Sequence, residues 1–208
     1  MAAGIILAGG QSRRMGTDKA FVLFEGRILI ERVIEPLRAV CEGIVIVAND
    51  REPYARFRVP IVADTVPDFG PLAGLHAGLT AAQAELSLVV AVDMPFLNLA
   101  LLRALIDAAD GWDAVIPALA IGVRADDVKR NRAKDLDMHP LHAVYRRTCL
   151  PAIQAAMDRG DRRLNAFLPD VRVRFFSADE MRPYDPDLRS LANVNTPEEL
   201  RQAHRPAR

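Results

Sequence analysis

Short, unbroken apolar runs recur along the chain, each followed by a stretch of helical length or a polar loop. Ile5-Ile6-Leu7-Ala8, Gly43 to Ala48, Pro60 to Ala63, Leu86 to Val92 and Trp112 to Ala118 are apolar nearly throughout. Strands covered on both faces of a parallel sheet read this way. Ile28 to Cys41 carries apolar residues at 29, 30, 33, 34, 37, 40 and 41. That spacing predicts a helix, which Pro36 is expected to kink or split. Pro71 to about Ala84 is predicted as a helix entered by a turn at Gly70, with Gly74, Ala77, Gly78 and Ala81 permitting close packing. Further helices are expected at residues 52–58, at Asn98 to Ala109 with Asn98 as N-cap, and at Arg147 to Gly160, with a short one beginning at Asp161 to Leu164. Ala20 to Phe24 reads as a short strand or extended packing segment, turned by residues 25–27; His139 to Tyr145 and Val171 to Phe176 complete the strands. Strands alternating with helices predict a three-layer α/β fold with a mainly parallel sheet.

Composition narrows this picture without redirecting it. A chain of 208 residues, half of them apolar, suits one domain, 1–208, with a substantial core, and is too apolar for disorder. Runs such as Leu88 to Val92 are far short of the roughly 20 residues that cross a bilayer, so no membrane contact is expected. The N-terminus lacks a charged region ahead of its apolar stretch, so no signal peptide is expected. Basic and acidic residues balance at 27 each, which gives no support for nucleic-acid binding. Cys41 and Cys149 stand far apart without a C-x-x-C spacing, the pattern of free thiols in a reducing cytoplasm rather than of zinc or redox chemistry.

The candidate chemistry lies where strands end. After the first strand comes Leu7-Ala8-Gly9-Gly10-Gln11-Ser12-Arg13-Arg14-Met15-Gly16-Thr17-Asp18-Lys19. Adjacent glycines free the backbone and leave no side chain in a ligand's way, and successive N–H groups suit anionic oxygens. Arg13, Arg14 and Lys19 add positive charge. A strand-to-loop turn with solvated arginines is the plain alternative to a phosphate loop. It is neither a Walker A loop nor a dinucleotide fingerprint, because no Gly-Lys-Ser/Thr follows and the glycines are adjacent. Asn49-Asp50 and Asp64 follow the next two strands, each either a turn residue or a ligand contact at the carboxyl edge. Asp93, in Asp93-Met94-Pro95, follows the strongest strand and offers rigidly mounted oxygens of the kind Mg²⁺ shares with phosphates; a helix cap is the alternative. Residues 119–138 mix charges of both signs and are expected to be a mobile loop, either a lid or a solvated insertion. His139 and His142 lack an evident third metal ligand, so they are structural or ligand-contacting. Arg162 and Arg163 suit phosphate or plain surface. Thr196-Pro197 with Glu199 reads as a helix start, and the tail from His204 is expected to be disordered.

The string from Leu7 to Lys19 resembles the LAGG-x-S-x-RMG-x-DK signature of nucleotidyltransferases, and within them the molybdenum cofactor guanylyltransferases. Gly-Pro-Leu-Ala-Gly at 70–74, the D-x-P at Asp93, His139-Pro140-Leu141 with Ala143 and Tyr145, and the Asn193-Val194-Asn195-Thr196-Pro197-Glu198-Glu199-Leu200 string extend the resemblance over nearly the whole chain. It implies a Rossmann-like nucleotidyltransferase fold and GMP transfer from GTP to the phosphate of molybdopterin, with pyrophosphate released. By resemblance, Leu7, Ala8, Gly9 and Gly10 wrap the triphosphate, and Arg14 and Lys19 hold phosphates. Asn49 and Asp64 contact the nucleotide and Asp93 binds Mg²⁺. His139, Asn193 and Asn195 lie on the acceptor side, in the part from 139 to 208, with nucleotide binding in the part up to about 118. Transient contact with proteins that deliver or receive the cofactor is also implied. The family's Asn-Ala-Asn is Val47-Ala48-Asn49 here. A cytidylyltransferase acting on molybdopterin or on a sugar or polyol phosphate shares the loop and is the alternative.

Overall fold

Seven of the nine described strands join one sheet in a computed structural model that describes residues 1–9, 18–119, 137–194 and 199. Strands β1 (Ala2–Leu7), β4 (Ile44–Val47), β5 (Ile61–Val62), β6 (Leu86–Ala91), β7 (Ala114–Ala118), β8 (His142–Arg146) and β9 (Val173–Ser177) lie in the order β5-β4-β1-β6-β8-β7-β9. All are parallel except β8, which runs antiparallel to both β6 and β7. The remaining two, β2 (Leu23–Phe24) and β3 (Arg27–Ile28), form a small hairpin whose turn residues Glu25 and Gly26 both have positive φ.

Helices cover both faces. The first layer, α1 (Leu29–Val40) and α3 (Leu99–Asp107), packs with Ile6, Ile46, Leu88, Val90 and Val144. On the other face α2 (Pro71–Ala82) and α4 (Leu150–Asp158) pack with Ile5, Leu7, Val47, Val89 and Tyr145. Alternate residues of each strand feed opposite layers, which is why the strands read as unbroken apolar runs. The second layer comes closest at α2: a Cβ at Gly78 would stand 2.5 Å from Ile5 Cγ2 and 3.2 Å from Val47 Cγ2. Only glycine admits that approach.

Several expectations need correction. Of the kink or split expected at Pro36, the split does not occur; α1 is continuous from Leu29 to Val40. Its buried stripe, Leu29, Ile30, Val33, Ile34 and Leu37, holds it against the sheet although Pro36 has no N–H for the Arg32 carbonyl. Residues 161–164 are not helical; the next helical turn is a 3₁₀ segment at Leu168–Asp170. Of the segment expected to be extended, Ala20 to Phe24, only Leu23–Phe24 is a strand; Ala20 and Phe21 belong to a 3₁₀ turn, Lys19–Phe21, which Asp18 caps through a 3.0 Å bond from the Ala20 N–H. The short helix expected at residues 52–58 is present, as a 3₁₀ helix over Glu52–Phe57. Residues 178–190, Pro- and charge-rich and read from the sequence as a plain connection, begin with a short α5 (Ala178–Met181), whose Ser177 and Glu180 form a full capping box. The loop expected at 119–138 lies outside the described residues for 120–136, as do the helix start at Thr196 and the tail from His204.

Candidate active site

Chain direction diverges at the carboxyl ends of β1 and β6. From β1 the chain passes through α1 to β4 on one side; from β6 it passes through α3 to β7 on the other. Loops leaving neighbouring strands in opposite directions open a crevice between them, and ligands of open α/β sheets bind there. Leu7 and Ala8 form one wall: the Leu7 carbonyl accepts from the Val92 N–H at 3.2 Å, and the Ala8 N–H donates to the Val47 carbonyl at 3.0 Å.

Lys19 and Asp93 meet across this crevice. Lys19 Nζ donates to Asp93 Oδ2 at 3.0 Å, and the two side chains are only 12% and 20% exposed. Asp93 Oδ1 is buried with no hydrogen-bond partner among the described residues. Its backbone is pinned from the C-terminal side, where the Val194 N–H donates to the Asp93 carbonyl at 2.9 Å. Val194 itself is buried with Phe24 and Leu29, and Phe96 packs edge-on to Phe24 with centroids 5.5 Å apart. The β2–β3 hairpin thereby seats residue 194, and through it the exposed Asn193, beside the Asp93 loop.

Asn49 and Asp64 form a second cluster on the β4–β5 side. The strands pair Val47 with Val62, so residues 49 and 64 leave the sheet side by side. Asn49 Nδ2 donates to Asp64 Oδ2 at 3.0 Å, and the Asp64 N–H donates to Asn49 Oδ1 at 3.0 Å. The other carboxylate oxygen, Oδ1, faces the first turn of α2, 3.1 Å from where a Cβ on Gly74 would be. Val47 points into the α2 layer and is buried, so the side chain at 47 is a packing group rather than part of this cluster.

The remaining expected residues divide clearly. Gly9 does reach the crevice, but its N–H donates to the Val47 carbonyl at 3.1 Å rather than pointing outward, and its φ is not positive. The anion-binding donor expected of Gly9 is therefore engaged within the protein. His139 sits beside the carboxyl end of β7, its N–H donating to the Pro117 carbonyl at 2.9 Å, and no described contact joins it to Lys19 or Asp93. Burial lowers the His139 pKa while Asp137 opposes the shift, and Nε2 is buried without a partner among the described residues. His142, on β8, is fully buried; burial and His139 push its pKa down to about 4, against Asp185 and the Ser190 backbone. Arg162 rests over the Phe69 ring at 5.5 Å, while Arg163 pairs with Asp161. Gly10, Arg14 and Asn195 lie outside the described residues.

Sequence reasoning missed two groups with direct roles in this geometry. The Val194 backbone N–H carries no side-chain signal at all. Tyr54, buried in the Glu52–Phe57 segment, donates its hydroxyl to Asp18 Oδ2 at 2.6 Å; a lone tyrosine in a short turn offers no periodicity to single it out.

Residues 4–173 match the model of the MobA-like NTP transferase domain. The chain is 39% identical over 202 residues to the molybdenum cofactor guanylyltransferase of Desulfosudis oleivorans, covering 96% of this chain and 93% of the relative. It is 32% identical over 203 residues to that of Syntrophotalea carbinolica, covering 98% and 90%. The crystal structure of molybdopterin-guanine dinucleotide biosynthesis protein A from Archaeoglobus fulgidus superposes with a TM-score of 0.78 at 28% identity, over 97% of this chain and 96% of that one. The fold extends to 2-C-methyl-D-erythritol 4-phosphate cytidylyltransferase from Thermus thermophilus, with a TM-score of 0.68 at 17% identity over 98% of this chain and 97% of the other.

Proposed function

Because the chain belongs to the MobA-like NTP transferase family, and to its molybdenum cofactor guanylyltransferase branch, we propose that it transfers GMP from GTP to the terminal phosphate of molybdopterin. An oxygen of that phosphate attacks the α-phosphorus, the bond to the β-phosphate bridging oxygen breaks, and pyrophosphate leaves with the electron pair. The product is the guanine dinucleotide form of the cofactor. Such a transfer rests on positioning and charge neutralisation rather than on a covalent nucleophile.

The observation that carries this reading is the half-buried Lys19–Asp93 pair at the crevice, with Asp93 Oδ1 buried and without a hydrogen-bond donor among the described residues. Lys19 neutralises phosphate charge there, joined by Arg14. A buried carboxylate oxygen without a donor fits a divalent cation, so Asp93 is the residue that would hold Mg²⁺. When bound, Mg²⁺ supplies further neutralisation of phosphate oxygens. Asp64, held by Asn49, would accept from the base, and Asn193 and His139 would serve the acceptor side. The guanine branch is favoured over the cytidine branch: the curated relatives at 32–39% identity are guanylyltransferases, whereas the cytidylyltransferase shares the fold at 17% identity. No helix among the described residues is long and apolar enough to cross a membrane. Two free thiols, Cys41 and Cys149, support a cytoplasmic site of action.

The test is pyrophosphate release from GTP with a molybdopterin acceptor, and equilibrium binding of GTP, CTP, UTP and ATP with and without Mg²⁺. Mg²⁺-assisted GTP binding well above CTP, with turnover lost in Asp93→Ala, is the expected result. A preference for CTP would move the protein to the cytidylyl branch, and undiminished Mg²⁺-dependent turnover in Asp93→Ala would sink the metal assignment.

A further inference from the structure

Lys19 is the second residue after a stretch of chain that ends in glycine and threonine, so something must fix its direction. The local turn alone is short, three residues of 3₁₀ helix closed by 3.0 and 3.1 Å backbone bonds. Helices of this length have little stability of their own. Asp18 strengthens the turn by capping Ala20, and Asp18 is in turn held by Tyr54, thirty-six positions away in sequence, through a 2.6 Å bond to its other carboxylate oxygen. The same tyrosine grips the far end of the turn: its ring lies 5.1 Å from that of Phe21, the last residue of the 3₁₀ segment. Tyr54 is 1% exposed, so the hydroxyl has no water to fall back on.

We propose that Tyr54 is a positioning residue for Lys19, clamping the turn before and after the lysine so that its ammonium reaches the Asp93 side of the crevice. The clamp rests on the proposed nucleotidyl transfer for its purpose. Burial, the bond to Asp18 and the nearby charges of Asp18 and Asp50 all push the Tyr54 hydroxyl well above the usual phenol range, so it stays a proton donor at every working pH. Because Tyr54 hangs from the segment that follows Asn49 and Asp50, it also braces the lysine against the chain that carries the base-side cluster.

The experiment is a set of cycles read from initial rates of pyrophosphate release and from GTP dissociation constants. Tyr54→Phe keeps the ring against Phe21 and removes only the hydroxyl; Asp18→Asn can keep the cap to Ala20 but cannot accept from tyrosine with its amide nitrogen. Each is expected to lower kcat/KM for GTP about tenfold, as losing one charge-assisted hydrogen bond does, with the melting temperature lowered by a few degrees at most. The double variant should be no worse than either single one. The decisive background is Lys19→Met, in which Tyr54→Phe should cost nothing further, since there is no lysine left to aim. A tyrosine that only filled the core would subtract the same amount in either background. Wild-type kinetics in Tyr54→Phe, or an equal loss with and without Lys19, would overturn the proposal. Wild-type protein that binds GTP without turning it over would count against the transferase reading instead, and the same cycles would then be decided from the dissociation constants.

Discussion

Asn49 uses both ends of its amide on one neighbour, donating from Nδ2 to the Asp64 carboxylate and accepting the Asp64 N–H at Oδ1. A carboxylate at 49 could not donate, and an aliphatic side chain could do neither. Asn49 therefore orients Asp64, the carboxylate that would accept from the base under the proposed reading. Asn49→Ala should weaken GTP binding about five- to tenfold, the value of one or two such bonds, while scarcely touching stability. Titration calorimetry with GTP and with ITP separates the outcomes: a reading carboxylate that has lost its aim should lose its preference for the amino-bearing base. Gly78 works by absence. With Ile5 Cγ2 only 2.5 Å from the Cβ position, Gly78→Ala forces α2 off β1 and should destabilise the protein by about 1–3 kcal/mol, measurable by urea denaturation.

At the scale of elements, α1 shows how far packing overrides local preference. Pro36 leaves the Arg32 carbonyl without its usual i+4 donor, yet the buried stripe on either side keeps the helix whole. Pro36→Ala should restore that bond and stabilise the protein by about 1–2 kcal/mol, after the greater freedom of the unfolded chain is subtracted; thermal melting checks it. The helix on both sides of Pro36 was legible because its apolar positions repeat at helical spacing, and its survival was not, because that depends on the sheet beneath. The parallel strands were legible for a similar reason, being apolar on both faces. The reversed direction of β8 was not: a fully buried strand reads alike in either sense. Of the site, Asp93 and Asp64 stood out because each directly follows a strand, and Lys19 because of its loop. The Tyr54–Asp18 bond and the Val194 contact to Asp93 join distant segments, and no local pattern encodes such a pairing.

The whole molecule carries its acid sensitivity in its interior. His142 has an ordinary pKa of 6.5 and is held down to about 4 in the fold, so it stays neutral when folded while the unfolded chain takes up a proton. Its contribution is complete above pH 6.5 and is lost as pH falls from there to 4, a loss of about 3 kcal/mol at the lower limit. Asp113, held down to about 2 by Arg172, adds a second loss only below pH 3.8. Urea midpoints at pH 7, 5 and 4 should therefore fall steadily in the wild type and less steeply in His142→Leu, where His139 and His76, both also lowered by burial, keep part of the slope. A last consequence belongs to the reversed strand. Because β8 runs backwards, its start and the end of β7 lie at the same edge of the sheet, and the Leu119 N–H meets the Asp137 carbonyl there at 3.2 Å. The chain thus departs and returns through one closed gate on the ligand side. That makes 120–136 a natural splice point, where a peptide of different length could be exchanged without shifting the register of a single strand.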